Sequence, residues 1–338
     1  MSNHKRETKL IMFVKRCLRI IKRARTPFRN GKYSNHIYNN HVHLVFLALR
    51  ALSGMSYQCF GEWIENFDQL LIVLRIKQFP HFTTLQKFAA RTPRRYLDIL
   101  IVISTKGPEI RTLVTGIDST GFSLTNASYH YISVLERNQE KGKRGRPRKR
   151  RRVRRYLKTT FIGETRTQRI LAVKIRRGPD NDGKDFIPAY KKLSLLDNRK
   201  IKLAVGDKGY DDEKNHRFVR EQLGAHSIIP ARKNRSLDYR TTGKYRREMR
   251  AGYSEAEYHQ RCKMETINSV IKRKMGASIR ARLCRCQNLE ILFRAFAYNL
   301  ERSVLCVYII GFLGSRPGIK AIYGMCNAVN NSPGPWRV

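Results

Sequence analysis

The chain has 338 residues, with 69 Lys and Arg against 26 Asp and Glu and a formal net charge of +43. With 41% hydrophobic and 10% aromatic residues it can bury the cores of about two or three domains, which excludes a disordered basic tail. So large an excess of one sign is foreign to ordinary small-molecule enzymes and calls for a polyanion, nucleic acid first and anionic membrane second. No apolar run approaches the ~20 residues of a membrane-spanning helix, and residues 10–14 are too short for a signal-peptide core. A soluble, cytoplasmic protein is expected. Seven scattered cysteines suit reduced thiols, and Cys284 and Cys286 have no further ligands at zinc spacing nearby.

The charge is concentrated in two blocks. Residues 1–32 hold eleven Lys and Arg with one Glu; residues 141–155 (KGKRGRPRKRRRVRR) hold eleven with no acid. Such blocks repel themselves and stay mobile until a polyanion neutralises them. Residues 1–33 are therefore expected to form a basic arm and residues 137–156 a basic insertion. Residues 34–108 read as a helical, helix-turn-helix-like DNA-binding domain, although a plain helical bundle fits the same pattern. Helices are expected at 43–52, 57–66, 69–76, 84–90 behind a Thr N-cap, and from Pro93 to about residue 103. From residue 109 the texture changes. Alternating or compact apolar runs predict strands at 112–118, 121–124, 129–134, 157–163, 169–175, 202–205 and 226–229. Helices are expected at 184–196, 212–223, 254–275 and 288–308. Strands first and alternation with helices afterwards imply a mixed α/β domain over 109–313. Residues 314–338 read as a flexible tail.

Acidic residues are scarce, so those in special places stand out. Asp118 is expected to close one apolar strand and Asp207 another, each where a turn begins, the usual place for site residues on a rigid scaffold. Either alone could be an Asx-turn or a cap. Together on neighbouring strands they would repel each other, which makes most sense around a divalent metal ion. A third acid lies on the helix at 254–275, which opens with the capping box Ser254-x-x-Glu257. At ~100° per residue, Arg261, Glu265, Asn268 and Lys272 fall in one narrow file beginning near Tyr258. Met264, Ile267, Val270 and Ile271 form the opposite, apolar stripe. Ordinary ion pairing at helical spacing would account for Arg261 and Glu265, but less well for a single carboxylate among donors suited to phosphate.

Tyr258, Arg261, Glu265 and Lys272, with two, three and six residues between them, resemble the Tyr-Arg-Glu-Lys signature of DDE transposases of bacterial and archaeal insertion sequences. Gly116-Ile117-Asp118-Ser119-Thr120 is similar to that family's first Asp segment, and Gly206-Asp207-Lys208-Gly209-Tyr210-Asp211 to its second. Ile228-Ile229-Pro230-Ala231-Arg232-Lys233-Asn234 resembles the strand that follows. The resemblance covers residues 35–310 or so. It implies an RNase H-like core, a mixed sheet flanked by helices, with Asp118, Asp207 and Glu265 as catalytic and metal-binding residues around two Mg²⁺ ions, Mn²⁺ being able to substitute. It further implies hydrolysis at the element's ends and attack of the freed 3′-OH on target DNA. Tyr258, Arg261 and Lys272 would contact DNA, and a homo-oligomer would join two terminal inverted repeats.

Within the basic block, Arg144-Gly145-Arg146-Pro147 is similar to an AT-hook, whose extended Arg-Gly-Arg lies in a narrow A·T minor groove; plain phosphate contact is the simpler reading. Arg232, Lys233 and Arg235, with the basic residues between Arg240 and Arg250, are expected to add a third cationic surface. Two other functions remain open at this point. A catalytically inactive or repurposed transposase would bind DNA without turnover, and a basic RNA-associated protein would prefer RNA to duplex DNA.

Overall fold

The structure, a computed structural model, describes residues 7–29, 31, 37–107, 110–125, 156–178, 180–232 and 241–313. The expected strand at 129–134, the basic block with Arg144 and Arg146, Lys233 and Arg235, and the tail from residue 314 lie outside the described residues.

Where a mobile basic arm was expected, helix α1 spans Lys9–Arg23. Thr8 caps it by accepting from the Ile11 N–H. Ile11, Val14, Cys17, Ile20 and Ile21 are buried on one side, while Lys15, Arg19 and Lys22 are exposed on the other. The cations therefore repel each other in water, on the outer face of an amphipathic helix whose inner face is held by the core. Helices α2 (Asn40–Ser53), α3 (Tyr57–Ile64), α4 (Gln69–Leu74), α5 (Phe82–Arg91) and α6 (Arg94–Ser104) follow, close to the expected spans. Gly54 ends α2 in the left-handed region at φ 66°, with its N–H on the Arg50 carbonyl, the usual helix stop. The cap of α5 is His81, whose ring nitrogen accepts from the Thr83 N–H, so that helix starts before the threonines expected to cap it.

The sheet contains β1 (Thr112–Leu124), β2 (Tyr156–Glu164), β3 (Arg169–Arg177), β4 (Lys200–Gly206), β5 (His226–Ile228) and the short β6 (Ser278–Ile279). Its order is β3-β2-β1-β4-β5, with β6 beside the far end of β1. The β3-β2-β1 half is antiparallel, and β1-β4-β5 is parallel. Helix α7 (Gly183–Leu196) makes the crossover into β4. Helix α8 (Glu213–Arg217) continues into a π turn at Phe218–Gln222. Then come α9 (Lys244–Ala251), which the sequence pattern did not suggest, α10 (Glu255–Tyr258), α11 (Cys262–Met275) and α12 (Cys284–Leu313). This is the expected RNase H-like class, a mixed sheet with helices on both faces.

One face of the sheet, with Phe122, Leu157, Phe161 and Val173, packs against α1, α2, α6, α11 and α12 in a single core. The other, with Leu113, Ile117, Ile162 and Leu171, packs on α7 and α8. The N-terminal helices and the sheet thus share one hydrophobic cluster. Asn299 pins its centre. From α12 its amide nitrogen donates to the carbonyl of Ile170 at 2.7 Å and to Ser104 Oγ at 2.9 Å, and its oxygen accepts the Ile170 N–H at 2.8 Å. Asn299 is fully buried, so replacing it strands the backbone groups of Ile170 in an apolar setting. Asn299→Ala is expected to lower unfolding stability by about 2–4 kcal/mol, read as a lower urea midpoint at unchanged slope.

Candidate active site

Two of the three acids are placed by strand register. In the parallel ladder of β1 and β4 the last pair is Ile117 with Gly206, so Asp118 and Asp207 are the next residue on each strand. Asp207 leaves β4 into a 3-10 turn at Lys208–Tyr210, as expected of a strand end. Asp118 differs from the expectation. It lies in mid-strand, because β1 continues along β2, where Asp118 faces Phe161, as far as Leu124. The strand ends only with respect to β4. Side-chain alternation puts Asp118 on the α11 face and Ser119 on the α7 face. There Ser119 Oγ bonds Thr160 Oγ1 and the Tyr210 hydroxyl, each at 2.7 Å, tying the end of the turn after Asp207 to β1.

The third acid comes from the helix laid across this face. The expected unbroken helix at 254–275 is interrupted by a 3-10 stretch at His259–Arg261 between α10 and α11. Ser254 does cap the Glu257 N–H as the capping box requires. Helix α11 sits low on the sheet because Gly116 and Gly163 lie beneath it. A Cβ on Gly116 would come 2.6 Å from Met264 Cγ, and one on Gly163 2.8 Å from Met264 Sδ. That close approach brings Asn268 onto Asp118, its Nδ2 donating to Oδ2 at 2.8 Å. Glu265 is 55% exposed and ion-paired to Arg261 at 2.6 Å. Arg261 interacts electrostatically with all three acids, and its guanidinium lies 5.7 Å from the Tyr258 ring centroid. Lys272 stands further along β1, its Nζ 5.7 Å from the Phe122 ring centroid. Tyr258, Arg261 and Glu265 are thus within electrostatic reach of one or both aspartates, whereas Lys272 sits beside Phe122.

Burial pushes the Asp118 carboxyl up to about 6. The neighbouring charge of Glu265 adds to the rise, while the Ser119 N–H, Arg261 and Asn268 pull it down. Around Asp207 the turn is clamped from outside. Arg232 donates to the Lys208 and Gly209 carbonyls at 2.6 and 2.7 Å, and Arg246 forks onto Asp211 at 2.7 and 2.8 Å. Part of the expected third cationic surface is thus engaged internally, holding this turn.

Carboxylate oxygens suit a hard divalent cation, and Asn268 Oδ1, buried with no hydrogen-bond partner, is a further free oxygen beside Asp118. The donors fit such an ion in kind. In position they do not yet close on it: among the described residues no three His, Cys, Asp or Glu side chains group tightly enough to hold one metal ion.

The model of the family described as "Transposase DDE domain" matches residues 111–300, more than half of the chain. The chain belongs to this family. It is accordingly a transposase, a DNA-recombining enzyme of a class that works with divalent metal ions. No curated protein matches the sequence. Among solved structures, a piggyBac transposase synaptic complex with hairpin DNA is similar at 13% identity and a TM-score of 0.39, over 99% of this chain and 87% of that one.

Asn268 as a partner of Asp118 and Arg232 as a brace of the turn after β4 are not anticipated by the sequence reading, which expects Arg232 on an outward cationic surface. The first was visible in the polar file of the helix; the second had no local signal, because its partners lie more than twenty residues away in the chain. A test of the site's electrostatics follows from Asp118. Its folded pKa lies above the usual carboxylate value, so it favours folding at low pH and that contribution is lost as pH rises through about 6. Asp118→Asn is expected to raise stability at pH 8 by about 1–3 kcal/mol, with the gain vanishing below about pH 4, as read by chemical denaturation across that range.

Proposed function

We propose that this protein cleaves DNA at the ends of an insertion sequence and transfers the freed 3′-OH into target DNA, using Asp118, Asp207 and Glu265 as metal-binding catalytic residues. The observation that supports this reading is the β1–β4 register, in which Asp118 and Asp207 each directly follow the last paired residue of their strand, with Glu265 close enough to Asp118 to act on its charge. Two Mg²⁺ ions, or Mn²⁺ in their place, would lower the pKa of the attacking water or hydroxyl and stabilise the leaving oxygen. Asn268 holds the Asp118 carboxylate in orientation, and Arg232 fixes the turn that carries Asp207. Glu265 joins the aspartates only when its ion pair with Arg261 opens, which frees the Arg261 fork for a phosphate. Lys272 and Tyr258 contact the strand on either side of the cut, and the basic segments with Arg144, Arg146 and Lys233 bind the flanking duplex. The helical segment reads the terminal inverted repeats, and two copies or more join the two ends. Among the described residues no helix is long and apolar enough to cross a membrane, in keeping with a prokaryotic protein working in the cytoplasm on the chromosome.

Asp118→Asn, Asp207→Asn and Glu265→Gln are each expected to lower metal-dependent nicking of DNA bearing the terminal repeat by at least about 100-fold, and Asn268→Ala by about 10- to 100-fold. Salt-dependent DNA affinity stays intact in all four. The claim of Arg261 on Glu265 favours one other reading, a transposase-derived DNA-binding protein without turnover. DNA affinity in the wild type with no metal-dependent product would establish that reading and overturn the first.

A further inference from the structure

A cavity of about 550 Å³ opens between α2, α3, α5 and the start of α12, and none of the three acids lines it. Its volume is that of a small-ligand site. Arg50 lines it from α2 and is only 8% exposed. The guanidinium stacks on Tyr57, 3.7 Å from the ring centroid. That contact fixes its plane but satisfies none of its in-plane N–H groups. Its Nε has no hydrogen-bond partner among the described residues. A buried guanidinium with its Nε–H unmet is unfavourable unless an acceptor reaches it. Glu290, also in the wall, is already engaged: it accepts from Arg294 at 2.7 Å and from the backbone N–H groups of Arg280 and Ala281. Arg280 and Arg282 line the same cavity and add to the positive excess. The rest of the wall is largely apolar, with Ala89, Leu289 and Phe293.

We propose that this cavity binds one nucleotide unit, its phosphate on Arg50 with Arg280 and Arg282 at the mouth, its base against Phe293 and Leu289. The phosphate follows from Arg50 alone, whereas the base rests on the reading that this protein works on DNA. A free mononucleotide and an unpaired nucleotide at a strand end share that chemistry.

Cys286 lines the cavity and reports on it. The full chain is alkylated with iodoacetamide and read cysteine by cysteine by mass spectrometry, with exposed Cys59 as the internal reference. The probes are thymidine monophosphate, thymidine, a single-stranded oligonucleotide and a blunt duplex. Thymidine monophosphate is expected to slow alkylation of Cys286 about tenfold at ten times its Kd, with thymidine having no effect and the reference cysteine unchanged. Protection by the oligonucleotide alone supports the site equally and assigns it to strand ends. Arg50→Met abolishes protection, and Arg282→Ala at the exposed rim weakens it without touching the core. Protection by thymidine as strong as by its phosphate, by blunt duplex as strong as by single strand, or by no probe at all, overturns the proposal. DNA nicking is assayed in parallel: a nucleotide footprint without nicking counts against the proposed function and leaves the site standing, and nicking without a footprint does the reverse.

Discussion

Two acids that each follow the last paired residue of a parallel ladder are the constraint around which the site is arranged. The parallel ladder of β1 and β4 runs out at Ile117 and Gly206, so Asp118 and Asp207 start from adjacent backbone. Asp118 is largely buried and has the charge of Glu265 nearby, and both push its carboxyl up. The surroundings answer with oriented donors. Asn268 and the Ser119 N–H bond Asp118 directly, and Arg261 acts on all three acids from a neighbouring turn.

The same arrangement explains why supporting contacts extend well beyond the acids. Helix α11 must lie close to the sheet for Asn268 to reach β1, and two glycines below it remove the side chains that would lift it. The turn after β4 must not drift, and it is held from one side by the Tyr210 hydroxyl on Ser119 and from the other by Arg232 and Arg246. In a protein this cationic, several arginines of the catalytic domain serve as internal braces rather than as outward charge.

Most of the fold was legible in the sequence because its signals are local. Apolar runs marked β1 to β5, Gly54 marked the end of α2 and Pro93 the start of α6, and helical spacing aligned Arg261, Glu265, Asn268 and Lys272. What escaped detection depends on partners distant in the chain. The stripe in α1 has helical period, but it is interleaved with so many cations that charge dominated the reading. The break of β1 at Asp118 was read from the end of an apolar run, whereas a central strand has two neighbours and ends with each separately. The 3-10 stretch at His259–Arg261 has no composition cue, and the bond from Asn268 to Asp118 spans 150 residues of sequence. The ion pair of Glu265 with Arg261 was foreseeable from spacing alone; that it competes with convergence of the acids was not.

The contact between α1 and α12 bears on how the chain acquires its shape. The apolar stripe of Lys9–Arg23 rests on a helix that begins only at Cys284, so an element synthesised early waits for one that leaves the ribosome much later. Until then α1 and α2 offer their greasy sides to solvent or to chaperones. Closure over so long a loop makes docking of α12 a slow, late event, and a nascent chain halted before it would be a target for proteolysis.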